Sequence, residues 1–356
     1  MKLLERARPE ILSLQPYSSA RMESRSRGIM LNANESPWPP VGNETTSLNR
    51  YPDPQPTALR VRMAELYDVA PERVLMGRGS DEAIDLLVRA FCREGRDAIV
   101  VSPPTFGMYA VAAAIQGARV IDAPLGADFA VDVDAVLAAI TENTKIVFVC
   151  TPNNPTGAVV PLTTIARLAD ALRDRALLVV DEAYLEFAGG APSATILISR
   201  HENVAVLRTL SKAYALAGAR VGALVADAQI VALLRRIQAP YPLPSSSVAV
   251  ALTALGGVAV AEAQARVAIL LSERDSLAPA LARARGVLAI LPSSANFLCV
   301  RFADAAQTYQ SLIEHGVVVR DVGRYAQLEG CLRISVGTPA ENWQLLAALG
   351  LRRAVA

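Results

Sequence analysis

Between residues 98 and 225 short, continuously apolar runs alternate with amphipathic stretches, and this rhythm leaves the chain few architectures. The runs are Ala98–Val101, Ala118–Ile121, Lys145–Cys150, Ala176–Val180, Val204–Leu207 and Val221–Val225. A strand with one wet face alternates polar and apolar residues, whereas a strand covered on both faces is apolar throughout. Parallel strands joined by helices are covered in that way, so the expected fold is α/β, with a mainly parallel sheet between helices. Ligands on such sheets bind at the carboxyl ends of the strands. The polar segments that follow these runs are therefore the places to look for chemistry.

Upstream, the chain is irregular and rich in Pro and Asn, from Leu31-Asn-Ala-Asn-Glu-Ser-Pro to Arg50-Tyr-Pro-Asp-Pro, and residues 1–45 read as an arm. Residues 46–243 read as the large domain. After Tyr241-Pro-Leu-Pro, Ala- and Leu-rich helical patterns are followed by short strands near Phe297–Arg301, Val317–Arg320 and Leu332–Val336. This change predicts a smaller C-terminal α+β domain over residues 244–356, hinged near residue 243.

Of the 35 basic residues only Lys2, Lys145 and Lys212 are lysines. Arginine replaces lysine as a charge but stays protonated and cannot serve as an amine nucleophile, so Schiff-base chemistry has three candidates. Lys2 is terminal and Lys145 precedes an apolar run, whereas Lys212 lies in Thr209-Leu-Ser-Lys-Ala-Tyr, eight residues before Arg220. A formal charge of +1, with arginines interspersed among acids, offers no broad cationic face for nucleic acid. The most apolar stretch, Val248–Ala261, falls short of the ~20 residues that span a bilayer, and no membrane association is expected. The start is charged and lacks the apolar core of a secretory signal, so a cytoplasmic protein is expected. Cys92, Cys150, Cys299 and Cys331 have no paired spacing and His201 and His315 stand alone, which argues against a metal site or a histidine triad.

Three segments combine polar chemistry with strand-end positions. Gly77-Arg-Gly-Ser-Asp-Glu precedes an amphipathic helix, Asp81–Phe91, with Ser80 as the expected N-cap. Its free amides suit a phosphate, although the same glycines also suit a tight turn. Thr151-Pro-Asn-Asn-Pro-Thr-Gly and Asp181-Glu-Ala-Tyr each follow an apolar run, and either one alone reads equally as a turn. Taken together, Asn154, Asp181, Tyr184, Lys212 and Arg220 match a pyridoxal 5′-phosphate site. Lys212 attaches the cofactor, Asp181 keeps the ring nitrogen protonated, and Asn154 and Tyr184 hold the ring oxygen. Arg220, Thr209, Ser211 and the amides at Ser80 and Asp81 take the phosphate. Phe106 stacks on the ring, or is a plain core residue.

With these motifs in hand, the chain resembles the fold-type I pyridoxal-phosphate-dependent aminotransferases. Asn32-Ala-Asn-Glu, Arg50-Tyr-Pro-Asp, Gly79-Ser-Asp-Glu, Pro152-Asn-Asn-Pro-Thr-Gly, Thr209-Leu-Ser-Lys and Leu332-Arg-Ile-Ser-Val-Gly-Thr make it similar to their histidinol-phosphate branch. The resemblance implies a reversible exchange of an amino group between L-histidinol phosphate and 2-oxoglutarate in histidine biosynthesis. It further implies that Arg333 takes a substrate carboxylate and Arg320 a phosphate, with Tyr17 closing over the site and Asn34 near the substrate. Tyr51 and Tyr241 match positions that reach a neighbouring subunit's site, Tyr51 toward the cofactor phosphate and Tyr241 toward the substrate, so a homodimer is implied. Phe106 departs from the tyrosine often found at the stacking position, and Ser36 from a frequent asparagine. Threonine-phosphate decarboxylation and aromatic transamination are the rival reactions on this fold. A non-catalytic sensor domain is the rival of a different class, although residues 1–30 are too short for a helix-turn-helix domain.

Overall fold

The structure is a computed structural model that describes residues 2–17, 29–43 and 47–351. Its centre is a seven-stranded sheet of β1 (Val74–Gly77), β2 (Ala98–Val101), β3 (Arg119–Asp122), β4 (Thr144–Cys150), β5 (Leu177–Asp181), β6 (Val204–Thr209) and β7 (Gly222–Val225). The order is β1-β7-β6-β5-β4-β2-β3. The run β6-β5-β4-β2-β3 is parallel, while β7 lies antiparallel between β6 and β1. The expected mainly parallel α/β sheet is present and covered on both faces, except at its edge strand β3, whose residues are largely exposed. Leu178 and Val180 of β5 enter one core cluster while Leu177 and Val179 enter the other, and Val147 and Val149 of β4 divide from Ile146 and Phe148 in the same way. Because successive side chains point to opposite faces, a strand buried on both sides must be apolar at every position. Each such Val, Leu or Ile contributes about 1.5–3 kcal/mol relative to exposure.

A second sheet, in the order β10-β11-β9-β8, is wholly antiparallel. It comprises β8 (Val287–Ile290), β9 (Phe297–Phe302), β10 (Arg320–Asp321) and β11 (Cys331–Ser335). Leu298, Val300, Leu332 and Ile334 form its core with Leu277 and Leu281, from the end of a helix spanning Gly257–Leu281.

Several details differ from expectation. The strand expected over Val317–Arg320 is confined to Arg320–Asp321, since pairing begins only where Arg320 lies opposite Arg333. The strands β1 and β8 were not expected. The helix before which Ser80 was expected as N-cap begins at Ser80 itself, and the N-cap is Gly79 at φ 79°, a left-handed value that favours glycine. Ala251 and Leu255 are buried in the large sheet's core, so we propose that the chain passes to its second unit along Gly257–Leu281, later than the hinge expected near residue 243. Among the described residues no single helix is long and apolar enough to cross a membrane. The helices Ser245–Ala254 and Gly257–Leu281 meet that test only as a pair bent by 74°.

Candidate active site

The strands β4, β5 and β6 end on the same edge of the sheet, and their last residues lead directly into one cavity of about 130 Å³. Gly79, Ser80, Asp81, Phe106, Asn154, Asp181, Tyr184, Thr209, Ser211, Lys212 and Arg220 line it. Every residue expected at the ring and phosphate of the cofactor, apart from Tyr51, is thus at one place.

Asp181 closes β5 and is 2% exposed. Its Oδ2 accepts the Tyr109 hydroxyl at 2.8 Å and its Oδ1 accepts the Ala183 N–H at 3.1 Å. Burial pushes its pKa up from 3.8 to about 6, with Tyr109 and Ala183 opposing the rise. A carboxylate has about four acceptor positions, so two bonds leave capacity for a cationic N–H. Asn154 follows β4, and its Nδ2 donates to the Tyr184 hydroxyl at 3.3 Å. The Asn153 beside it is turned the other way: it accepts from Thr105 and donates to Thr156 and to the Pro104 carbonyl, tying the Asn-Pro turn to the loop before Phe106.

Lys212 lies beyond β6, with Nζ 5.7 Å from the centre of the Tyr184 ring and, among the described residues, no hydrogen bond or ion pair. Partial burial lowers its pKa, and the cations Arg333 and Arg220 lower it further, although the side chain is exposed in the isolated chain. All three push toward the neutral amine, the form that acts as nucleophile or base.

At the other end of the cavity the Thr209 hydroxyl donates to Ser211 at 2.9 Å, and Arg220 pairs with Asp81 at 3.1 Å. Arg220 adopts a left-handed φ of 56°. The Asp81 carboxylate is occupied by that ion pair, so the part of Asp81 left to an anion is its amide. Gly222 lies against this turn: a Cβ there would come within 2.6 Å of the Gly79 carbonyl carbon and 2.8 Å of the Ser80 nitrogen. The amides at the start of the helix are thus packed directly on β7, and only glycine permits it.

A second cavity adjoins the first through Phe106 and Asn154 and is lined by Arg320, Arg333, Met108, Val111 and Tyr325. Arg320 and Arg333 are direct cross-strand partners, and such pairs project on the same face. Arg333 Nη1 donates to Asn154 Oδ1, joining the small sheet to the large one. Two guanidiniums side by side suit bidentate anions.

Four expected site residues do not line either cavity. Tyr17 is 70% exposed and lines a separate cleft with Pro54, Gln55 and Arg235. Asn34 is exposed with a φ of 55°. Tyr51 and Tyr241 stack on each other at 4.5 Å, and the Glu35 carboxylate ties the Asn-Ala-Asn-Glu and Arg-Tyr-Pro-Asp motifs together by accepting from Arg50 at 2.9 Å and from the Tyr51 N–H at 2.6 Å. Tyr109, one helical turn beyond Pro104-Thr-Phe, also reaches Asp181, although nothing in its sequence context marks it.

Residues 26–349 match the model of the aminotransferase class I and II family. A histidinol-phosphate aminotransferase of Xanthomonas euvesicatoria pv. vesicatoria is 49% identical over 351 residues, covering 98% of this chain and 96% of the relative. One of Stenotrophomonas maltophilia is 49% identical over 358 residues, covering 99% and 98%. The histidinol-phosphate aminotransferase of Sinorhizobium meliloti, solved in complex with pyridoxal-5′-phosphate, superimposes with a TM-score of 0.76 at 28% identity, covering 89% of this chain and 88% of that one.

Proposed function

The chain belongs to the class I and II aminotransferases, and from that premise we propose that it transfers the amino group of L-histidinol phosphate to 2-oxoglutarate with pyridoxal 5′-phosphate as cofactor. The observation that carries this reading is the convergence of Lys212, Asp181, Asn154, Tyr184 and Arg220 on one cavity, beside the Arg320 and Arg333 pair. The near-full-length identity to histidinol-phosphate aminotransferases supports the choice of donor.

The donor set fits the cofactor. The buried Asp181 carboxylate has acceptor capacity for a protonated ring nitrogen, the Lys212 amine is uncommitted, and the glycine cradle at residues 79 and 222 presents amides where a phosphate needs them. When bound, the cofactor supplies a carbonyl that takes up an amino group and a cationic ring that accepts an electron pair from the carbon bearing that amine. Lys212 Nζ would hold the cofactor, and its amine, when free, would be the base that takes the proton from the amine-bearing carbon of the substrate. Asp181 holds the positive charge on the ring nitrogen, and Asn154 and Tyr184 fix the ring oxygen. Arg220, Thr209, Ser211 and the Ser80 and Asp81 amides anchor the phosphate.

Arg320 and Arg333 bind the phosphate of one substrate and the carboxylates of the other in alternate half-reactions, since both anions accept bidentate guanidinium bonds. Tyr17 and Asn34 of the arm line neither cavity within one chain, and we propose that they reach the substrate only in the assembled protein. We also propose a homodimer in which Tyr51 and Tyr241 meet the other subunit's site. Four free cysteines support a reducing cytoplasmic location.

Initial rates with histidinol phosphate, threonine phosphate and phenylalanine as sole donors test the assignment. Glutamate formation from 2-oxoglutarate should be fastest with histidinol phosphate. Carbon dioxide release from threonine phosphate, with no transamination of histidinol phosphate, would overturn it.

A further inference from the structure

Tyr109 is fully buried in the helix Met108–Gln116, behind the cavity rather than in it. A buried tyrosine hydroxyl needs a partner, and this one donates at 2.8 Å to Asp181 Oδ2, 72 residues away in sequence. The ring is clamped from two sides. It stacks on Phe148 of β4 at 4.5 Å and 8°, and meets Phe106 edge to face at 5.6 Å. Rotation about χ1 would break both contacts, so the hydroxyl is held on the carboxylate. Among the described residues, no other tyrosine hydroxyl donates to a carboxylate.

Resting on the pyridoxal-phosphate reading above, we propose that Tyr109 is a positioning residue that keeps Asp181 ionised, so that the shared proton stays on the cofactor's ring nitrogen. The argument is one of competition. A carboxylate buried this deeply is driven toward its neutral form, and a neutral Asp181 would hold the proton itself and leave the ring uncharged. An O–H donor stabilises the ionised carboxylate and opposes that transfer. Apart from the Ala183 N–H on the other carboxylate oxygen, a fixed backbone donor, the groups around Asp181 do not supply this. Asp81 and Glu182 are acids whose charge opposes ionisation, the buried Cys150 thiol is held neutral, Lys212 is exposed and pushed toward its neutral form, and the Tyr184 hydroxyl accepts from Asn154. Through Phe106 the same ring also supports the surface expected to stack on the cofactor, so one side chain sets both the charge partner and the ring's platform.

The test uses Tyr109→Phe, which keeps the ring packing and removes the donor, and a second protein carrying 3-fluorotyrosine at position 109, a stronger donor of the same shape. In cofactor-free protein with carbon-13-labelled aspartate carboxyls, Asp181 should titrate higher in Tyr109→Phe and lower with 3-fluorotyrosine than in the parent. In the cofactor-loaded protein, the nitrogen-15 shift of the labelled ring nitrogen at neutral pH should move toward the unprotonated value in Tyr109→Phe and stay at the parent value with 3-fluorotyrosine. The kcat of Tyr109→Phe should fall by about tenfold or more with KM little changed, the loss expected for a hydrogen bond to a charged group. A lower melting temperature with both titrations and kcat unchanged would reduce Tyr109 to packing and overturn the proposal. Failure of the parent protein to bind the cofactor at all would instead overturn the functional reading on which it rests.

Discussion

Gly222→Ala should separate the cofactor's phosphate from its binding turn without touching a charged group. Gly222 opens β7 and lies between Gly77 of β1 and Thr209 of β6. The added methyl would sit 2.6 Å from the Gly79 carbonyl carbon, 2.7 Å from its Cα and 2.8 Å from the Ser80 nitrogen. Ordinary contact begins at 3.4 Å, so the turn must retreat by about 0.8 Å. All three atoms are backbone, and no side-chain rotation can relieve the clash. Overpacking of this kind costs about 1–3 kcal/mol of stability. Displacing an amide from a phosphate forfeits a charge-assisted bond of about 1.5–3 kcal/mol, or roughly ten- to a hundredfold in cofactor affinity. Absorbance titration of the cofactor into the stripped protein, beside a urea unfolding curve, reads both quantities. Gly257→Ala is the control, because a Cβ there meets nothing within 4 Å at the start of its helix. Cofactor affinity and stability in Gly222→Ala equal to those of the control would refute the packing of β7 against the phosphate turn.

Three further outcomes follow from the same geometry. Lys212→Ala should bind the cofactor without the visible band of a lysine-linked form and turn over at less than about a thousandth of the parent rate, since one group supplies both attachment and proton transfer; rapid turnover in a coupled assay would contradict both roles. Arg333→Gln should raise KM for histidinol phosphate and for 2-oxoglutarate together, by about tenfold or more, whereas an effect on one substrate alone would show that the arginines do not share the anions. In cofactor-free protein the folded Asp181 keeps its proton up to about pH 6, against an ordinary 3.8. The folded state therefore binds more protons across that window, and Asp181's contribution to stability falls by about 3 kcal/mol as pH rises through it. Urea unfolding at pH 4.5 and 7 should show that slope flattened in Asp181→Asn, and equal slopes in the two proteins would contradict it.

The sheet and the centre of the site were legible for the same reason. A strand covered on both faces announces itself by an unbroken apolar run, and the polar residue that ends it, Asp181 after Leu177–Val180, marks the edge where ligands bind. What escaped notice depends on contacts distant in sequence. Strand β1 is four residues long and merges with a glycine turn, and nothing in a βα rhythm signals that it pairs antiparallel with β7. Strand β8, Val287–Ile290, is a half-exposed edge that reads like the end of the preceding helix. Ser80 looked like an N-cap by residue type, but the positive φ demanded just before the helix assigns that place to Gly79. Tyr109 lies on the buried face of an apolar helix, where a tyrosine and a phenylalanine look alike. Only the fold brings its hydroxyl to Asp181.

The most direct measurement follows the visible spectrum of the cofactor-loaded protein while histidinol phosphate is added without acceptor, and then 2-oxoglutarate. The account predicts loss of the lysine-linked band on the first addition and its return on the second, with stoichiometric glutamate. A band that ignores histidinol phosphate but responds to another amine would contradict the proposed donor, and no band in protein supplied with the cofactor would contradict the assignment of Lys212.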